Sequence, residues 1–331
     1  MWRIMVHVWR GYQARLSLIQ SDDKAMKAKT KKIIIGSLGL AVGLPLAFTL
    51  GILGWISTLN RTNGAIISSG ETRHYLLYVP RTYNRSSRTP LVISLHAASF
   101  WPALQMQIDR WNEEADKHGF LVVYPSATGV LRFWRTTGPG LELEAKFLYD
   151  LMAKLEFSYK IDPARVYITG YSNGGGMTLA MACRLSRRLG AVGTVAAGAR
   201  SLSQKLLQDS APVPLIAFHG TADRVIPFAG GRSKIGRIFF PRVRDWVDQW
   251  AQRNGCDGAT AETRITANVS RLTYSDCSDH ADVILYTISL GGHSWPGGKP
   301  LPELYVGRTN NEINASSLMW DFFVQHPRVP K

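Results

Sequence analysis

Beyond residue 72 the apolar positions alternate between two rhythms. Short runs dense in β-branched and large apolar side chains fall at 74–79, 91–95, 121–124, 166–169, 215–219 and 283–289, the signature of strands. Between them, apolar residues recur with helical spacing at 109–118, 143–157, 175–189, 241–253 and 314–325. Strands and helices taking turns predict an α/β domain, with a mostly parallel central sheet covered by helices on both faces. The polar stretch 60–72, carrying Gly64 and Gly70, reads as a linker, so the domain is expected to occupy 73–331.

Upstream the pattern is of another kind. Residues 33–59 run for 27 positions without a charged side chain, more than the ~20 a helix needs to cross a bilayer. Gly36, Gly39, Gly43, Pro45, Gly51 and Gly54 suit a membrane span better than a helix in water. Residues 1–32 carry eight Lys or Arg against Asp22 and Asp23, and basic residues are sparse just after the run. The positive-inside rule therefore assigns 1–32 to the cytoplasm and 73–331 to the outside. The expectation is one transmembrane signal-anchor helix over 33–59, giving membrane attachment. The rival is secretion after cleavage of a signal peptide begun at Met26, against which no A-x-A site follows Leu59.

Charge and cysteine narrow the partners. The formal net charge is +15, but much of the excess sits in 1–32, and the remainder is scattered over stretches such as 184–188 and 232–244 without interleaved aromatics. That pattern describes solvated basic faces, and no nucleic-acid partner is expected. Of three cysteines, Cys183 follows an apolar run and reads as a small buried hydrophobe. Cys256 and Cys277 flank an irregular stretch that a bridge, permissible in an exported protein, would close into a loop. No C-x-x-C or histidine cluster points to a metal, and no cofactor is expected.

The chemistry gathers on one motif. Gly170-Tyr171-Ser172-Asn173-Gly174 fits G-x-S-x-G, with an expected strand before it and an expected helix after it. That context matches a nucleophile elbow, in which a strained turn projects the serine and small flanking residues let the backbones cross. A serine hydroxyl needs a base, and the base needs a carboxylate to fix its tautomer. In hydrolases of this architecture the chain order is nucleophile, acid, histidine. Asp223 follows the 215–219 strand, and His293 lies in the glycine-rich loop 291–298 after the last strand. They complete a Ser172–Asp223–His293 triad. His118, His219 and His280 read as structural or solvated. His96 opens the loop after the second strand, where an oxyanion hole belongs, with the backbone N–H groups of Ala98 and Asn173 as donors. Trp295, beside the base, reads either as a wall for an aromatic or apolar acyl group or as packing.

Several further motifs occur in one order: Tyr78-Val79-Pro80, Trp111-Asn112-Glu113, the segment 118–125, the segment 161–167, Asn254-Gly255-Cys256, the loop 291–298 and Trp320-Asp321-Phe322-Phe323. With the serine motif they resemble the polyhydroxybutyrate depolymerase, feruloyl esterase and acetylxylan esterase group of secreted α/β-hydrolases, over about 73–330. The resemblance implies the α/β-hydrolase fold, a serine esterase acting on carboxylic esters of hydroxyalkanoate, feruloyl or acetyl type, and Cys256–Cys277 as the disulfide. It implies Ser172 as nucleophile, Asp223 as acid and His293 as base. Two features depart from the group: His96-Ala97 stands where His-Gly is usual, and the apolar run 33–59 is read as retained. Alternatives to the esterase are a peptidase on the same fold and an inactive cell-surface binding protein.

Overall fold

The structure, a computed structural model, describes Thr58 and residues 60–328 apart from 201, 235–237 and 259–261. The expected membrane helix at 33–59 and the basic segment 1–32 lie outside the described residues, but for Thr58. Among the described residues no helix is long and apolar enough to cross a membrane.

Ten strands form one sheet in the order β1-β2-β4-β3-β5-β6-β7-β12-β11-β10. Its centre is parallel: β4 (Leu121–Pro125), β3 (Thr89–Leu95), β5 (Ile161–Tyr171), β6 (Val192–Val195), β7 (Leu215–Gly220) and β12 (Val283–Ile288). Antiparallel strands extend both edges: β1 (Gly64–Ser68) and β2 (Glu71–Tyr78) on one side, β11 (Val269–Tyr274) and β10 (Thr263–Arg264) on the other. β8 (Gly231–Arg232) and β9 (Phe239–Phe240) pair apart from this sheet. Strands β3, β4 and β7 are buried at every position, as strands covered on both faces must be.

The parallel strands require crossovers, and helices supply them on both faces. One face is covered by α3 (Gly138–Ser158), α4 (Asn173–Arg184) and α6 (Val243–Arg253), whose buried residues join one core. The other face packs α1 (Pro102–Asp109), α2 (Trp111–His118) and α8 (Ala315–Gln325). There Phe120 stacks on Trp320 with ring centroids 3.9 Å apart, and Tyr167 stacks on Phe323 at 4.7 Å. The short helices α5 (Gln204–Gln208) and α7 (Glu303–Val306) lie in loops.

Three expectations need correcting. The supposed linker 60–72 contains β1 and the start of β2, so the domain begins earlier than residue 73. An edge strand of five residues with alternate positions exposed carries little local signal, and its partner β2 defines it. The helix expected at 109–118 is present from Trp111 to His118, and Arg110, with a φ of 56°, separates it from an additional helix at Pro102–Asp109. Strands β6 and β11 were not expected, and both are short.

The Asn254-Gly255-Cys256 motif closes the far edge. Asn254 is fully buried and bridges two segments, donating to the carbonyls of Val213 (2.9 Å) and Ala281 (2.7 Å). Gly255 takes a φ of +67°, and a Cβ there would meet Ser278 Oγ at 2.5 Å. The turn delivers Cys256 to Cys277, and the two form a disulfide. Cys183 is a buried free thiol, as its apolar context implied.

Candidate active site

Three loops leave the same end of the parallel sheet, after β5, β7 and β12. At the first, Ser172 holds φ 56° and ψ −116°, a backbone region that L-residues seldom enter. The flanking glycines are needed sterically. A Cβ on Gly170 would sit 2.3 Å from the Gly174 carbonyl oxygen, and one on Gly174 would sit 2.2 Å from that of Leu95. Here β5 turns into α4 with the start of the helix pressed on the end of β3.

The loops after β7 and β12 are laced together. Thr221 and Ala222 donate backbone N–H groups to Ile288 and Gly291, each at 2.9 Å, and the Leu290 N–H reaches Thr221 Oγ1 at 2.9 Å. The base loop is held from its other side by Tyr171, whose buried hydroxyl donates to the His293 carbonyl at 2.5 Å. The outcome is a continuous chain: Ser172 Oγ lies 2.8 Å from His293 Nε2, and His293 Nδ1 lies 2.7 Å from Asp223 Oδ2. All three residues are buried. The structure therefore brings together the three side chains singled out in the sequence.

Asp223 is prepared as an anion. Burial by itself would raise its pKa, but the charge of His293 and hydrogen bonds from His219 and His293 outweigh that cost and hold the carboxyl below the usual carboxylate range. Its other oxygen accepts the N–H groups of Val225 and Ile226, both at 2.8 Å. His219, read from sequence as structural or solvated, lies with Nε2 2.8 Å from the Ile226 carbonyl and 3.3 Å from Asp223 Oδ2. Its spacing of four residues before Asp223, at the last turn of a strand, was the available signal.

The loop after β3, where oxyanion donors are expected, is braced from below. His96 is fully buried, and burial drives its pKa down to about 4, so its ring is neutral near pH 7. Nδ1 donates to the Ala97 carbonyl at 2.7 Å and Nε2 accepts the Ala127 N–H at 3.0 Å. Trp134 Nε1 donates to the His96 carbonyl at 3.0 Å, and the Asn173 side chain pairs with the Trp134 backbone in both directions, at 2.8 and 3.2 Å. Trp134 and the Asn173 carboxamide were thus missed as positioning groups. Among the described residues, neither the Ala98 nor the Asn173 N–H has a backbone acceptor. Ala97 is not among the residues with positive φ, so the alanine fits where glycine is usual, and the left-handed residue of this loop is Ser99 at 60°.

Trp295 does not line the site. It is 2% exposed, packs edge-on against Tyr171, and donates its indole N–H to Ser316 Oγ at 3.1 Å. Of the two roles expected for it, the structure gives packing. A Cβ on Gly298 would strike the Ile108 carbonyl at 2.2 Å, so the loop after His293 seats directly on α1 and carries the tryptophan inward.

Residues 73–201 match the model of the family described as Esterase PHB depolymerase. Over those residues the chain is similar to that family. Feruloyl esterase B of Piromyces equi is 29% identical over 164 residues, which cover 47% of this chain and 30% of that protein. Feruloyl esterase C of Emericella nidulans is 26% identical over 273 residues, covering 80% of this chain and 87% of that protein. The chain thus matches less than a third of the first relative's length and most of the second's. Among solved structures, an acetyl xylan esterase from Aspergillus awamori matches with TM-score 0.50 at 16% identity, covering 68% of this chain and 93% of that one. At that identity the likeness concerns the fold alone, which is of the α/β-hydrolase type. The family model and these relatives alike support a carboxylic ester hydrolase.

Proposed function

We propose that the chain is a serine esterase working through an acyl-enzyme, with Ser172, His293 and Asp223 as its machinery. The observation that carries this reading is the unbroken hydrogen-bond chain from Ser172 Oγ through His293 to Asp223, set on a strained elbow. As Ser172 Oγ bonds to the ester carbonyl carbon, its proton passes to His293 Nε2, and the imidazolium that forms faces the Asp223 carboxylate. The carbonyl oxygen gains negative charge against the Ala98 and Asn173 N–H groups. His293 then protonates the departing alcohol. A water repeats the sequence in reverse, giving up its proton to His293, and releases the acid while Ser172 recovers its own. Hydroxyalkanoate, feruloyl and acetyl esters are the substrate classes that family and relatives suggest.

The proposed location is outside the cytoplasm, attached by 33–59. It rests on the 27-residue uncharged run and on the basic excess before it.

The test is full-length protein assayed on short-chain p-nitrophenyl esters and with a fluorophosphonate probe, beside Ser172→Ala and His293→Ala. Turnover and labelling should fall by roughly 10³-fold or more in both variants. A folded wild type that neither turns over nor labels would return the chain to the binding-protein reading.

A further inference from the structure

The loop between β4 and α3 presents apolar side chains to solvent beside the catalytic end of the sheet. Val130 is 99% exposed, Leu131 71% and Phe133 52%. Globular domains rarely leave neighbouring large apolar residues so open without a partner. The loop is not a loose tip. Gly129 and Arg132 hold positive φ, the Phe133 N–H bonds back to the Thr128 carbonyl, and Trp134 is buried beneath. The Leu131 carbonyl accepts the N–H of Ser99 at 3.0 Å, which joins the exposed residues to the oxyanion loop.

Two observations say what covers this surface. The uncharged run ends at Leu59, one peptide bond before Asn60, and Asn60 Oδ1 accepts from Arg132 Nη2 at 2.8 Å. Asn60, the residue that follows the run in sequence, is thus fastened to the middle of the exposed loop. The loop also carries no acid of its own, since no Asp or Glu occurs from 126 to 141; Arg135 pairs with Glu144 at 2.8 Å, and Arg132 is the cation among the apolar residues. Further exposed apolar residues sit on other segments that border the site. Leu304 and Tyr305 belong to α7, whose Val306 carbonyl accepts the His293 N–H. Phe239 precedes Phe240, the ring a Cβ on Gly198 would strike at 2.5 Å.

We propose that Val130, Leu131 and Phe133 seat in the interfacial layer of a phospholipid bilayer, so that the catalytic mouth opens onto the membrane surface. Apolar side chains with an arginine among them and no acid in the loop are what an anionic lipid interface accepts. The inference rests on the reading of 33–59 as a membrane anchor, and adds the orientation of the enzyme relative to the lipid.

The test uses the intact chain reconstituted in phosphatidylcholine–phosphatidylglycerol vesicles. An environment-sensitive fluorophore is attached at Val130→Cys, and in a second sample at Phe157→Cys. Phe157 is 94% exposed and lies near the far end of α3, about 28 Å along the helix from its start. Lipids bearing a nitroxide near the headgroup should quench the label at 130 at least roughly twofold more than the label at 157. Equal quenching in a chain that floats with the vesicles would overturn the loop proposal and leave the anchor standing. A chain that fails to float with the vesicles would remove the anchor and the loop proposal together.

Discussion

The carboxylate of Asp223 is shared by two imidazoles, and only one of them touches the nucleophile. A carbonyl oxygen can only accept, so the 2.8 Å contact to Ile226 requires the proton on His219 Nε2, and that same N–H leans on Asp223 Oδ2. His219 is a positioning residue acting through Asp223. His219→Ala is expected to lower kcat about 10–100-fold with KM little changed, the equivalent of one charge-assisted hydrogen bond, and His219→Gln should recover part of it. Steady-state kinetics on a soluble ester, with thermal melts to verify folding, measure this; a fall in melting temperature at unchanged kcat would leave His219 a packing residue. Ala97 gives the opposite expectation. Its backbone does not use the freedom that glycine offers, so Ala97→Gly should leave kcat/KM within about twofold of wild type. A tenfold gain would mean that the alanine does displace the Ala98 donor.

At the scale of elements, α1, α2 and β3 meet around Asp109, which accepts from Ser94 Oγ (2.5 Å), Gln105 Nε2 (3.0 Å) and the Trp111 N–H (3.3 Å). Burial raises its pKa to about 7 against these donors. A carboxyl whose pKa is raised by folding holds its proton more tightly in the folded state. Its stabilising effect is therefore complete below about pH 4 and is lost as pH rises through about 7. Wild-type melting temperature should fall across that window, and Asp109→Asn should flatten the fall, gaining several degrees at pH 8 and none at pH 4. Calorimetry at the two pH values decides it. Asp109 also illustrates what the sequence conveyed of these elements. The central strands and the helix after Ser172 were legible because buried apolar runs and a glycine-flanked serine are local signals. The four-residue β6 was not, because strands reached through crossovers define it, and neither were the break at Arg110 or the outer strands β1 and β11, whose partly exposed positions carry weak local signals. The same holds at the site: the Ser172–His293–Asp223 constellation follows from type, order and glycine context, whereas the contacts of Trp134, the Asn173 carboxamide and His219 exist only once separate loops meet. Trp295 shows the limit from the other side, since proximity to His293 in sequence did not put its ring in the site.

Across the whole domain, Cys256–Cys277 ties the end of α6 to the loop before β12, the strand that leads into the His293 loop. Removing the link frees a loop of sequence separation 21, and a double Cys256→Ala, Cys277→Ala variant should lose about 3 kcal/mol of stability. Chemical denaturation of oxidised wild type against the variant measures this, and a difference near zero would mean that Asn254 alone secures the corner. One other long-range contact has a consequence in time. The rings of Trp320 and Phe323, on the final helix, cap Phe120 and Tyr167, which lie some two hundred and more than one hundred and fifty residues earlier. A chain made from its N-terminus thus carries the nucleophile strand long before its last aromatic cover emerges. Until then, the part of that face over β5, β6 and β7 stays open to whatever else is nearby, and the domain's birth is settled by its last few turns.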